Sequence, residues 1–165
     1  MGRLMTIADL IEAAIEAENA ARKIYLGFSH KFLSHPEASD FWQTMADDEA
    51  DHARILTDLR DMLEPDTLSV PIDAQLAEKA LDLCNLDPIR KVNSITNLDD
   101  AYRIAYELES SEVNTIFNFL MIRCLSHERS CKIISSTMDT HLLRLAHFSR
   151  QFGSANQCRH IAASA

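Results

Sequence analysis

Along four long stretches of the chain, apolar side chains return every three or four residues, the spacing of one helix face. The first reads Ile7, Leu10, Ile11, Ala14, Glu18, Ala21, Tyr25, Phe28, Phe32, and the second reads Trp42, Met45, Glu49, His52, Leu56, Leu59, Leu63. The third is Leu98, Tyr102, Ala105, Glu109, Glu112, Ile116, Phe119, and the fourth is Ile134, Met138, His141, Leu145, Phe148. The pattern predicts helices over 7–33, 40–63, 98–125 and 128–152. Thr6, Ser39 or Asp40, and Asn97 are the expected caps, and Gly153 the expected stop. His35-Pro36 separates the first two helices. Between residues 64 and 97 the pattern is broken by Pro65, Pro71 and Pro88, with one short amphipathic helix expected from Asp73 to Leu83. A connection of that length can run the length of a helical bundle, whereas a short loop joins only antiparallel neighbours. The expected fold is therefore all-α: a four-helix bundle of two hairpins joined by a crossover over 64–97. The hairpins resemble each other, since Ala14-Ile15-Glu16-Ala17-Glu18 aligns with Ala105-Tyr106-Glu107-Leu108-Glu109, and Glu49 and His52 align with Met138 and His141.

Composition narrows the class. A chain of 165 residues fits a single domain over 1–165 and can bury a substantial core. Only three glycines and four prolines occur, which favours long helices over many short strands. The formal charge of −9 argues against nucleic acid or an anionic membrane as partner. No stretch approaches the roughly 20 apolar residues needed to span a bilayer. Met1 to Thr6 lacks the features of a signal peptide, so a cytoplasmic location is expected. Cys84, Cys124, Cys131 and Cys158 form no Cys-x-x-Cys pair, and are read as free thiols in a reducing compartment.

The chemistry lies in the polar residues that interrupt the apolar stripes. Glu18, Glu49, His52, Glu109, Glu112 and His141 all fall at core-facing positions. Residues three apart share a helix face, so Glu49 and His52 can reach one ion. Any one of these acids could border a stripe and snorkel outward. Together they demand compensation, because an unpaired buried ion costs several kcal/mol and a domain is held by only about 5–15 kcal/mol. Arg22, one turn from Glu18, is the nearest cation but could equally lie outside the cluster. Four carboxylates and two histidines suit iron, manganese or zinc better than a thiolate-seeking metal, and can balance two divalent ions. The remaining histidines, His30, His35, His127, His147 and His160, fall at helix ends, on another face or in the tail.

The run Glu18-Asn19-Ala20-Ala21-Arg22-Lys23-Ile24-Tyr25, followed by Glu49-x-x-His52 and Glu109-x-x-Glu112, resembles the rubrerythrin branch of the ferritin-like proteins, without the rubredoxin domain. The resemblance implies a ferritin-like bundle with a carboxylate-bridged pair of metal ions, iron first and zinc or manganese as alternatives. It makes Glu18, Glu49, His52, Glu109, Glu112 and His141 the ligands, with Glu49 and Glu109 bridging and Tyr25 placed to hydrogen-bond one of them. It further implies a cytoplasmic oxidoreductase that reacts with peroxide or dioxygen, fed by an external electron-donor protein. A homodimer is expected as well, its apolar surface drawn from Leu26, Leu33, Leu76, Leu83 and Leu142. One departure stands out: the family places Glu-x-x-His on the fourth helix, and here Met138 occupies the Glu position. The alternative function is accordingly a non-catalytic, iron-handling protein with an incomplete second site.

Overall fold

The structure, a computed structural model, describes residues 4–83, 85–125 and 141–152, and of residues 112–114 it describes the backbone alone. Two long antiparallel helices form its frame, α1 (Ile7–Lys31) and α2 (Pro36–Met62), which share the most extensive contact among the described elements. Helix α1 begins at the expected cap. The Thr6 hydroxyl accepts from the Asp9 amide while the Asp9 carboxylate accepts from the Thr6 amide at 2.8 Å, a reciprocal pair that occupies two otherwise orphaned donors.

Helix α2 starts earlier than expected, after His35, with Pro36 in its first turn. Proline suits that position because its fixed φ is helical and its missing N–H would have no partner there. Ser39, expected with Asp40 as a cap, is instead buried inside the helix, where its hydroxyl pairs with Ser29 Oγ at 3.1 Å and donates to the Ser29 carbonyl.

The crossover carries three short helices, α3 (Pro65–Leu68), α4 (Ala74–Leu83) and α5 (Pro88–Ser94), rather than one. Its start is tied to the head of α1 by backbone bonds from Ile7 to Val70 and from Ile72 to Met5, each 3.0 Å. Helix α4 buries Leu76, Ala80 and Leu83 against α1 and α7 (Glu112–Cys124). Leu76 and Leu83 are thus spent on the chain's own core and offer no surface to a second copy, a correction to the expected dimer face. Leu33 and Leu142 remain exposed.

Helix α5 lies on α1 at Gly27, where an added Cβ would stand 2.4 Å from Val92 Cγ2 and 2.8 Å from Val92 Cγ1. Gly27→Ala should therefore destabilise the protein, by about 1–3 kcal/mol of overpacking less about 1 kcal/mol of regained helix propensity. Chemical denaturation of Gly27→Ala, Val92→Ala and the double variant checks this. The double variant should recover most of the loss, and a Gly27→Ala protein as stable as wild type would refute the close packing.

The stretch expected as one helix over 98–125 is two: α6 (Leu98–Glu109), capped by Asn97 through the Asp100 amide, and α7. The interruption falls at Ser110 and Ser111. The Ser111 hydroxyl donates to the Leu108 carbonyl at 2.6 Å, and the Ser111 amide bonds the same carbonyl at 3.0 Å, so side chain and backbone together close a tight turn that the α-helical pattern would not make. The last described element, α8, is helical over 141–152. The expected start of that helix near residue 128, Met138, His127, His160 and the stop at Gly153 lie outside the described residues.

Two apolar clusters fill the interior. One gathers Ile24, Tyr25, Phe28, Trp42, Met45, Ala105, Leu108, Leu145 and Phe148, and the other Leu10, Ile11, Ala14, Leu56, Leu59, Ile116, Phe117 and Leu120. On each long helix the change of cluster coincides with an acid: Glu18 lies between Ala17 and Ala21, and Glu49 between Ala46 and Leu56. Glu109 likewise lies between Leu108 and Ile116. A polar layer therefore divides the core. No strand occurs among the described residues, and no described helix is long and apolar enough to cross a membrane.

Candidate metal centre

The polar layer is sealed from solvent. Glu18 is 2% exposed, Glu49 3%, His52 4%, Glu109 6% and His141 2%. Each is held there because the apolar residues on either side of it pack into the two clusters, which leaves its side chain no outward path. Arg22, by contrast, is exposed and does not enter the layer, and His30, His35 and His147 are exposed as well. The side chain of Glu112 lies outside the described residues.

Donor atoms of the five buried residues form two overlapping triads, Glu18/Glu49/His52 and Glu49/Glu109/His141, each with its atoms within 4.8 Å of one another. Glu49 belongs to both. His52 Nδ1 lies 2.8 Å from Glu49 Oε2 and 3.7 Å from Glu18 Oε2. His141 Nδ1 lies 3.1 Å from Glu109 Oε2 and 3.7 Å from Glu49 Oε1. The two rings stand 5.1 Å apart, as the internal repeat of the sequence leads one to expect. Tyr25, from α1, donates to Glu109 Oε1 at 2.7 Å and stacks on Trp42, with ring centroids 5.9 Å apart.

Electrostatics make the layer a poor place for these residues alone. Burial first, then the charges of Glu18 and Glu109, push the Glu49 carboxyl well above the usual carboxylate range. Burial pushes His141 down, but hydrogen bonds to Asp48 and Glu109 and the nearby acids outweigh it and lift the imidazole to about 10. His52 is raised in the same sense, the pull of Glu18 and Glu109 exceeding the cost of burial. Burial and the neighbouring carboxylates raise the Tyr25 phenol well above 10, which keeps it a hydrogen-bond donor. Three carboxylates crowded into one buried layer require positive charge. Without metal the histidines supply it as protons; with metal, the same oxygen and nitrogen atoms become a hard-donor ligand set. The residues present therefore fit a pair of divalent ions.

Two described residues beside the site, Asp48 and Arg144, were missed by the sequence reading. Asp48, partly buried on α2 next to Glu49, accepts at Oδ2 from His141 Nε2 at 3.2 Å, and Arg144 of α8 pairs with the same oxygen. Burial pushes the Asp48 carboxyl up, yet the His141 hydrogen bond and the two neighbouring cations outweigh it and hold it below its ordinary value. Asp48 escaped notice because it lies about 100° around the helix from Glu49, off the apolar stripe. The available signal was the acid directly before Glu-x-x-His, together with an arginine one turn after His141.

The helical fold and its buried Glu/His layer define a ferritin-like protein with candidate ligands for two metal ions. The sequence profile of the Rubrerythrin family matches residues 9–128, and the chain belongs to that family. No curated protein and no solved structure matches it.

Proposed function

We propose that the protein is a di-iron oxidoreductase of the cytoplasm, reducing peroxide or dioxygen with electrons from an external donor protein, and that it works as a homodimer. The observation that carries the reading is the sharing of Glu49 between two buried Glu/His triads. A carboxylate common to both positions lets charge gained at one ion be balanced at the other. Bound ferrous ions would supply the electrons that reduce the oxidant. The chain's own residues prepare the place. Glu18, Glu49, His52, Glu109 and His141 would hold the pair, with Glu112 and its undescribed side chain as a further candidate from the family resemblance. The Tyr25 hydroxyl occupies Glu109 Oε1 and leaves Oε2 facing His141, so that this carboxylate is oriented before any ion arrives. Phe117 packs against the His52 ring at 5.2 Å, and the two apolar clusters exclude water on either side of the layer.

The test is anaerobic titration of the metal-free chain with ferrous iron, then addition of peroxide under stopped flow. Two ferrous ions bound per chain and oxidised together within seconds are the expected result. Slow oxidation of less than two ions would favour the alternative, an iron-handling protein with one incomplete position, and failure to bind iron would sink both readings.

A further inference from the structure

The two histidines of the layer are not equivalently supported. His141 is gripped at both ring nitrogens: Nδ1 faces Glu109 Oε2 and Glu49 Oε1 at 3.1 and 3.7 Å, and Nε2 faces Asp48 Oδ2 at 3.2 Å. His52 meets its carboxylates through Nδ1 alone, and its Nε2 has no polar partner among the described residues. Asp48 is itself held. Arg144, three residues after His141 on α8, pairs with the oxygen that accepts from His141. Helix α2 thus contributes an acid on each side of the His141 ring, Glu49 toward the layer and Asp48 toward solvent.

We infer that Asp48, backed by Arg144, is a positioning residue that locks the His141 proton on Nε2, turns Nδ1 inward as the donor atom, and so strengthens the hold of the layer on one of its two metal ions. The inference rests on the di-metal reading above and adds an asymmetry to it. A neutral imidazole carries one N–H, and the nitrogen that bears it cannot ligate. An acid fixed at Nε2 therefore decides that Nδ1 keeps its lone pair, restrains the ring against rotation, and makes that lone pair more basic. Arg144 holds Asp48 in place through the same oxygen, since an unpaired, half-buried carboxylate could swing to solvent. Among the described residues nothing comparable acts on His52.

Cobalt(II) substitution tests this with readouts that do not depend on turnover. Wild-type protein, Asp48→Ala, Asp48→Asn and Arg144→Gln are titrated with cobalt(II) by calorimetry, and the loaded proteins are compared by paramagnetic proton NMR. Asp48→Ala should weaken one of the two ions about 10–100-fold and leave the other unchanged. Asp48→Asn, whose amide oxygen still accepts from Nε2–H, should recover part of that loss, and Arg144→Gln should lie between wild type and Asp48→Ala. The hyperfine-shifted, exchangeable imidazole N–H should persist in wild type and Asp48→Asn, and be lost to solvent exchange in Asp48→Ala. In a His141→Ala background, Asp48→Ala should have no further effect on affinity. Equal weakening of both ions, unchanged affinity, or an exchangeable signal that survives in Asp48→Ala would overturn the inference while leaving two-ion binding standing. Wild-type protein that takes up no cobalt would overturn the di-metal reading and this inference with it. Should Asp48→Ala not fold, the Asp48→Asn and Arg144→Gln affinities decide by the same criterion.

Discussion

Glu49→Ala should abolish binding of both metal ions, whereas Glu18→Ala should cost one at most. The asymmetry follows from the geometry. Glu18 serves a single triad, while Glu49 has one oxygen 2.8 Å from His52 and the other 3.7 Å from His141. Its removal takes a ligand from each position and one of the three buried carboxylates whose charge would hold the two ions near one another. The same change should act in the opposite direction on the metal-free protein. Glu49 is pushed toward its neutral form by burial and by Glu18 and Glu109, which shows how unfavourable a third carboxylate is in that layer. Isosteric Glu49→Gln keeps the volume and removes the charge, so it should leave the metal-free melting temperature unchanged or higher. Added metal should raise the melting temperature of wild type by about 5–11 °C per site, from roughly 2.7 kcal/mol at a hundredfold excess over Kd and about 2–4 °C per kcal/mol for a chain of this size. In Glu49→Gln that rise should nearly vanish. Metal content by mass spectrometry and paired melts measure both effects. Equal metal loss in the Glu18 and Glu49 variants would show that Glu49 does not bridge.

The bundle was legible because helix packing writes itself into the chain at a fixed period. Ile7 to Phe32 and Trp42 to Leu63 each keep one face apolar, and the ionisable residues interrupt that face only where the polar layer crosses it. That is why Glu18, Glu49, His52, Glu109 and His141 could be picked out at all: each breaks a pattern that its neighbours maintain. Asp48 breaks no pattern. It stands beside the stripe among other acids, and only the position of α8, which depends on contacts across ninety residues of chain, reveals that it faces His141. The turn at Ser110–Ser111 was invisible for a related reason. Serine is tolerated in a helix, and the apolar spacing from Leu98 to Phe119 runs straight through it. What ends α6 is a local competition between the Ser111 hydroxyl and the backbone for the Leu108 carbonyl. The crossover misled in a third way. Leu76 and Leu83 read as spare apolar surface because the short helix carrying them had no assigned partner, and its docking against α1 and α7 is a tertiary fact.

The metal-free protein should lose stability as pH rises from 6.5 to 8.5, and metal should remove that dependence. His141 has its pKa raised to about 10 from an ordinary value of 6.5, and His52 is raised as well. A group with a raised pKa holds its proton more tightly folded than unfolded. The stability it contributes is complete below the unfolded pKa and is lost as pH climbs through the folded one. For His141 the loss runs from 6.5 toward 10. Glu49 is raised as well, by burial and by Glu18 and Glu109, and a raised carboxyl acts in the same direction. Asp48 works the other way, being lowered from 3.8, but its contribution is complete before this window opens. Each additional proton retained by the folded state tilts stability by about 1.4 kcal/mol per pH unit. Binding of two divalent ions displaces those protons, so the loaded protein should melt at nearly constant temperature across the window. The metal-induced rise should accordingly be smallest at pH 6.5 and largest at pH 8.5, the opposite of what weakened ion pairs at a protein surface would give. Thermal melts with chelator and with manganese(II) at half-unit steps of pH measure both curves. A metal-free protein whose melting temperature is flat or rising over this range would mean that His52 and His141 are not the cations of the layer, and that the three buried carboxylates are neutralised in another way.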